Sequence, residues 1–154
     1  MRPSNARCLP ESVFPSWSAE VHMLRSVLAV VAAAVAWMVV ATLLNLAIRY
    51  GWAEYAAVEQ SMSFTLPMLL LRLLVGAAAS FGSGFAGALV SKGNRMPIYV
   101  FAILLLALFL PVHYGLWARF PVWYHLFFLA SLLVFPVVGA MSHLRVSGTP
   151  QASK

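Results

Sequence analysis

The sequence predicts an all-α integral membrane protein, a four-helix bundle running up-down-up-down with both termini cytoplasmic. Three observations predict it. Of the 154 residues, 62% are hydrophobic and only 9% charged, with a mean hydropathy of +0.88. A water-soluble domain of this size carries about a quarter charged residues because its surface stays wet, so an ordinary soluble enzyme or binding domain is excluded. The apolar residues fall in rows of about 20, the length a helix rising 1.5 Å per residue needs to cross roughly 30 Å of hydrocarbon. The basic residues stand singly at the ends of these rows, as they do beside membrane spans.

Residues 1–22 hold Pro3, Pro10 and Pro15, several serines and no apolar period, and read as a disordered tail. At Met23 the chemistry changes: Met-Leu-Arg-Ser leads straight into an apolar run, which makes Met23 a second candidate for the initiator. The membrane domain is expected over 23–144, with spans at 26–48, 67–90, 97–117 and 122–141. The first run, Ser26 to Ile48, is bounded by Arg25 and Arg49. Its Ala34-Val35-Ala36 imitates a signal-peptidase site, but apolar residues continue to Ile48, so an uncleaved anchor is expected. The second starts near Pro67, tolerated in a first helical turn, and is broken after Val90 by Ser-Lys-Gly-Asn-Arg. The third covers Pro97 to Trp117 and the fourth Val122 to Met141, after which 145–154 form a flexible tail. Pro111 and Pro136 each remove a backbone donor and are expected to bend their helices.

Four spans put both termini on one side, and basic residues choose it. Arg2, Arg7, Arg25, Lys92, Arg95, Arg145 and Lys154 make seven on the terminal side, against two, Arg49 and Arg119, on the other. Without residues 1–22 the ratio is five to two, so the termini are placed in the cytoplasm. Tyr50, Trp52, Tyr55, Tyr114, Trp117, Trp123 and Tyr124 all fall at the opposite, outer ends, where amphipathic rings sit among headgroups. Ten Lys and Arg against four Glu give +6, which in a soluble chain would point to nucleic acid. Here no four basic residues cluster, so no nucleic-acid partner is expected. The single Cys8 excludes an intramolecular disulfide and any cysteine-based metal site.

Helices associate in lipid by close packing and interhelical hydrogen bonds, which favours small residues on touching faces. Gly76, Ser80, Ser83, Gly84 and Gly87 recur at such spacing on the second span, and Ala29, Ala32, Ala33 and Ala36 on the first. These two faces are expected to pack together. The leucine-rich third span is expected to show lipid a broad surface.

Polar groups in hydrocarbon cost several kcal/mol if unpaired. Asn45, Arg72, His113 and His125 therefore form a candidate polar site in the outer half of the bundle, with Glu54 and Glu59 of the first loop as the carboxylates available to Arg72. Arg72 shares a helical stripe with Gly76, Ser80 and Ser83 and should face the bundle. It either snorkels outward to lipid phosphate or Glu59, or attracts an anion into an outward-opening cavity. Asn45 is expected to bond to a neighbouring helix. His113 and His125, held at similar depth by a tight hairpin, can bond to backbone or water, share a proton, bind a metal with a glutamate, or hold a haem. No ligand spacing supports the last two, so neither metal nor cofactor is expected.

The hairpin itself, P-x-H-x-x-L-W-x-x-F-P-x-W-Y-H from Pro111 to His125, resembles a pattern in small uncharacterised bacterial inner-membrane proteins with four spans. The resemblance covers about Met23 to Leu144. It implies the bacterial inner membrane and carries no activity.

No nucleophile and base pair, phosphate loop or metal spacing is present, so no catalytic residue is assigned and no enzyme is expected. The leading expectation is a structural or accessory membrane protein acting through helix contacts with itself or another membrane protein. The alternative is a small transporter, or a lipid- or anion-binding protein, with its site around Arg72. Proton-coupled export of the small multidrug type would need a carboxylate in the first span, and Ser26 to Ile48 contains none.

Overall fold

The computed structural model describes residues 17–92 and 94–147. Among them the chain forms five helices and no strand: α1 Trp17–Gly51, α2 Ala53–Val58, α3 Leu66–Ser91, α4 Met96–Gly115 and α5 Val122–Ser147. Four are long and apolar enough to cross a membrane, through Glu20–Gly51, Leu66–Ser91, Met96–Gly115 and Val122–His143.

The boundaries depart from expectation at three places. Helix α1 begins at Trp17, so Trp17–His22, expected in the tail, are its first turns; 1–16 lie outside the described residues. Its 35 residues extend about 50 Å, well beyond the hydrocarbon thickness. Helix α5 likewise runs past Met141 to Ser147, which makes the start of the expected C-terminal tail helical, while 148–154 lie outside the described residues. The unexpected α2 fits its Ala-Glu-Tyr-Ala-Ala-Val composition of mostly strong helix formers, and it follows Trp52, whose extended backbone breaks it from α1.

Local chemistry sets the other ends. Thr65 is extended ahead of α3 and Pro67 sits in its first turn. Lys92 ends α3 in the left-handed region at φ 49°. Asn94, one residue outside the N-cap Arg95, has its Oδ1 accept at 3.0 Å from the amide of Met96, the first residue of α4. Pro111 and Pro136 lie inside α4 and α5 without ending either helix.

The four long helices close a ring in which α3 packs most extensively on α1 and α5, and α4 completes the circuit between α5 and α1. Buried clusters line its axis: Ala88, Ile98 and Ala140 at one level, Ala33, Phe101, Leu105 and Leu132 at the next, and Leu69, Phe120 and Tyr124 towards the α2 end.

The small-residue face of α3 does not belong to α1 alone. Gly87 meets α1 as expected, since a Cβ there would lie 3.2 Å from Ala33 Cβ and 3.3 Å from the Ala29 carbonyl, and it also meets α4, where Ile98 Cδ1 would lie 2.6 Å away. Ala29 and Ala33 are fully buried, whereas Ala32 and Ala36 are only half-buried. Gly84 instead faces α5, its missing Cβ taken up by the Pro136 carbonyl, and Gly139 of α5 stands in the same relation to Phe81 of α3. Gly76 lies against the Phe128 ring of α5, 3.0 Å from the nearest ring atom to an added Cβ. A stripe on a helix that sits between two neighbours is shared by both, and close backbone approach needs glycine wherever it occurs. Ser83 donates to its own helix at Ser80 O, 2.7 Å away, while Ser80 Oγ accepts from Trp37 Nε1 of α1 at 3.2 Å.

Helix α4 does leave Ile103, Leu104, Leu108 and Leu110 exposed. The helix with the larger outward surface is α1, where 11% of the residues in its apolar centre are buried against 44% in α3.

Candidate functional site

Arg72 lies six residues into α3, about 9 Å from the helix start, too deep for the charge to be left without partners in an apolar bundle. Its Nη1 donates to the Tyr55 hydroxyl at 2.8 Å and its Nε to the Tyr124 hydroxyl at 3.4 Å. Its Cζ stands 4.7 Å from the centre of the Phe64 ring, within cation–π range. Tyr55 is 1% and Tyr124 3% exposed, so both phenols are committed to the interior.

The glutamates expected as partners are elsewhere. Glu59 pairs with Arg49 at 2.6 Å, and Glu54 accepts from Trp52 Nε1 at 2.7 Å. Both stand off the buried face of α2: Tyr55, on that face, reaches Arg72, whereas Glu54 is exposed and Glu59 turns to the end of α1. Among the described residues no carboxylate pairs with Arg72.

A cavity of about 140 Å³ opens beside the guanidinium, lined from all four long helices by Trp37, Ala41, Asn45, Arg72, Gly76 and Tyr124 among others. A guanidinium has five N–H donors, and two are used here. Each tyrosine oxygen accepts from Arg72, which leaves its own hydroxyl proton to be donated elsewhere. The site therefore combines a positive charge with surplus donors, the chemistry of an oxyanion receptor. Asn45 does not bond across helices as expected: its Nδ2 donates at 2.7 Å to Ala41 O one turn back on α1, yet the residue lines the same cavity.

His113 and His125 are brought into direct contact by the α4–α5 hairpin, Nδ1 to Nδ1 at 2.8 Å with the rings near perpendicular. This distance requires one ring to donate and the other to accept, so a single proton lies between them. His125 is fully buried, stacked on Trp117 at 4.8 Å, and its Nε2 has no partner among the described residues. The pair adjoins the Arg72 site through Tyr124, whose ring stacks on His113 at 6.1 Å, and through Phe128, which packs on His113 at 4.5 Å and lines the cavity. Glu54 and Glu59 lie on other partners, and among the described residues no three His, Cys, Asp or Glu gather as a metal would need.

The sequence points to the charge and both imidazoles but not to their surroundings: Tyr55 and Tyr124 read as headgroup-belt residues, Trp37 as part of the first span and Phe64 as part of the first loop. A signal was present. With no carboxylate in the expected spans 26–48, 67–90, 97–117 and 122–141, an arginine inside the second has neutral acceptors as its nearest resource, and phenols supply them. Compared with protein-family models, curated proteins and solved structures, the chain matches none.

Proposed function

We propose that the chain is a non-enzymatic, multi-pass protein of a bacterial inner membrane whose working site is an oxyanion-binding cavity around Arg72. In this reading the helices run up-down-up-down, both termini are cytoplasmic, and the Tyr55–Arg72–Tyr124 group lies in the outer half of the bilayer. The observation that carries it is the partnering of Arg72: a charged guanidinium beside an interior cavity, held by two phenols and by no described carboxylate. An anion at about 4 Å would gain on the order of 4 kcal/mol at an effective dielectric constant near 20, before its own desolvation is subtracted.

Titration of the purified protein in neutral detergent with acetate or inorganic phosphate tests the reading. Binding that is lost in Arg72→Leu and weakened in Arg72→Lys is expected, because lysine keeps the charge but not the fork of donors. Equal responses from the native protein and Arg72→Leu would contradict it.

One observation favours a second reading, the structural component acting through helix contacts. Helix α1 keeps Val27, Leu28, Val31, Val35, Met38 and Leu43 turned outward. Crosslinking from Val35 in native membranes is expected to capture a second copy or a neighbour if this face is an interface, and lipid alone if it is not.

A further inference from the structure

The anion-binding reading leaves open what the anion is attached to and how it arrives. We infer that the site takes the oxyanion headgroup of an acyl-chain lipid entering sideways from the bilayer along α1; this rests on the Arg72 reading above.

The approach from the α2 side is crowded with aromatic rings. Tyr55 from α2 lies over the guanidinium and packs against Phe64 at 5.2 Å, and Phe64 in turn stacks on Phe120 at 6.1 Å. Phe120 continues to Tyr124 at 5.2 Å, so an aromatic roof runs from α2 to α5 above Arg72. Phe120 is 8% exposed and Tyr55 and Tyr124 are lower still, while Phe64 between them is half-buried.

The lateral approach is open. Trp37, Ala41 and Asn45 line both the inner cavity and an outer groove of about 440 Å³ bounded by Met38, Thr42, Leu46, Arg49 and Glu59. From Trp37 to Arg49 this groove follows α1 for about 18 Å. It is polar near the rim and apolar below, where Met38 and Thr42 continue into a shallow channel with Val39 and Leu43. That gradient matches an amphiphile lying along a helix. The inner cavity is the smaller of the two, about 140 Å³ against about 440 Å³ for the groove, so the headgroup belongs in the first and the chain along the second. The lipid's charge would then sit at Arg72 while its tail stays against α1.

Trp37 reports on the passage directly. The protein is reconstituted in phosphatidylcholine bilayers containing a minor share of either brominated phosphatidylglycerol or brominated phosphatidylcholine, and tryptophan quenching is compared. Quenching by the anionic lipid is expected to exceed that by the neutral one about fivefold, the enrichment one basic residue gives. The excess should disappear in Arg72→Leu and, because the reporter is removed, in Trp37→Phe. Equal quenching by the two lipids, or an excess that survives either substitution, overturns the inference. The micelle titration separates the two failures: Arg72-dependent phosphate binding there, without lipid preference in bilayers, removes the lipid while the anion site stands. Absence of both removes both.

Discussion

Helix α3 is built in two ways along its length. Near Gly84 and Gly87 it touches its neighbours almost backbone to backbone, with Gly84 against the Pro136 carbonyl and Gly139 reciprocally against Phe81. Near Arg72 and Gly76 the bundle is held apart by aromatic rings and encloses a cavity. The two regions divide the tasks of the fold. Close packing is what associates helices in lipid, where burying apolar surface gains little; the glycine end supplies it, and the arginine end can stay open.

If that division is correct, perturbation at the glycine end should damage stability most. In Gly84→Leu the side chain has only the Pro136 carbonyl to meet, and the helices must separate; a loss of folded protein by thermal unfolding in detergent is expected, while even Gly84→Ala should cost about 1–3 kcal/mol. Unchanged melting of Gly84→Ala would show that α3 and α5 are not in this contact.

At the open end the effects should be smaller than that of Gly84→Leu and graded by hydrogen-bond length. Tyr55→Phe removes the 2.8 Å acceptor of Arg72 and should cost about 1.5–3 kcal/mol, the range for bonds to charged groups. Tyr124→Phe removes the 3.4 Å acceptor and should cost less. Reversal of that order in chemical unfolding would mean that Tyr124, and not the α2 helix, holds the guanidinium.

The histidine pair offers a double-mutant cycle. His125→Leu leaves the His113 Nδ1 buried without its partner, and about 1–3 kcal/mol is expected. His113→Leu together with His125→Leu should restore part of the loss, because no orphan remains; additive losses would indicate that the two rings do not bond. The smallest effect belongs to the rim. Arg49 and Glu59 side chains are 54% and 30% exposed, so Glu59→Gln should change stability by about 0–1 kcal/mol and spare anion binding at Arg72.

Much of this arrangement was legible in the residue order. Long apolar rows carry a one-dimensional signal, so the four candidate spans were located to within a few residues at most ends. The terminal extensions of α1 and α5 were less visible: Trp17–His22 and Ser142–Ser147 are polar enough to resemble tails, yet they continue helices already nucleated by the apolar runs beside them. Pairing between helices was harder to read, because small residues announce that something approaches closely without naming it; Gly87 looks to α1 and Gly84 to α5 although they share one face. The charge at Arg72 is evident from sequence, but sign alone points it to lipid phosphate or to Glu54 and Glu59, and the buried face of α2, which carries Tyr55, decides the matter. Tyr55 and Tyr124 are far from Arg72 in the chain, and only the folded ring of helices brings them to it.

The site, its roof and its lateral entrance all require a chain that crosses the bilayer with α2 and the α4–α5 hairpin on the outer side. Single cysteines placed at Asn94→Cys and Gly115→Cys, in a Cys8→Ser background, put this to a direct test with a membrane-impermeant maleimide. Labelling of Gly115→Cys from outside intact spheroplasts, with Asn94→Cys reacting only after lysis, is the result the four-span arrangement predicts. Labelling of both positions from the same side would contradict it.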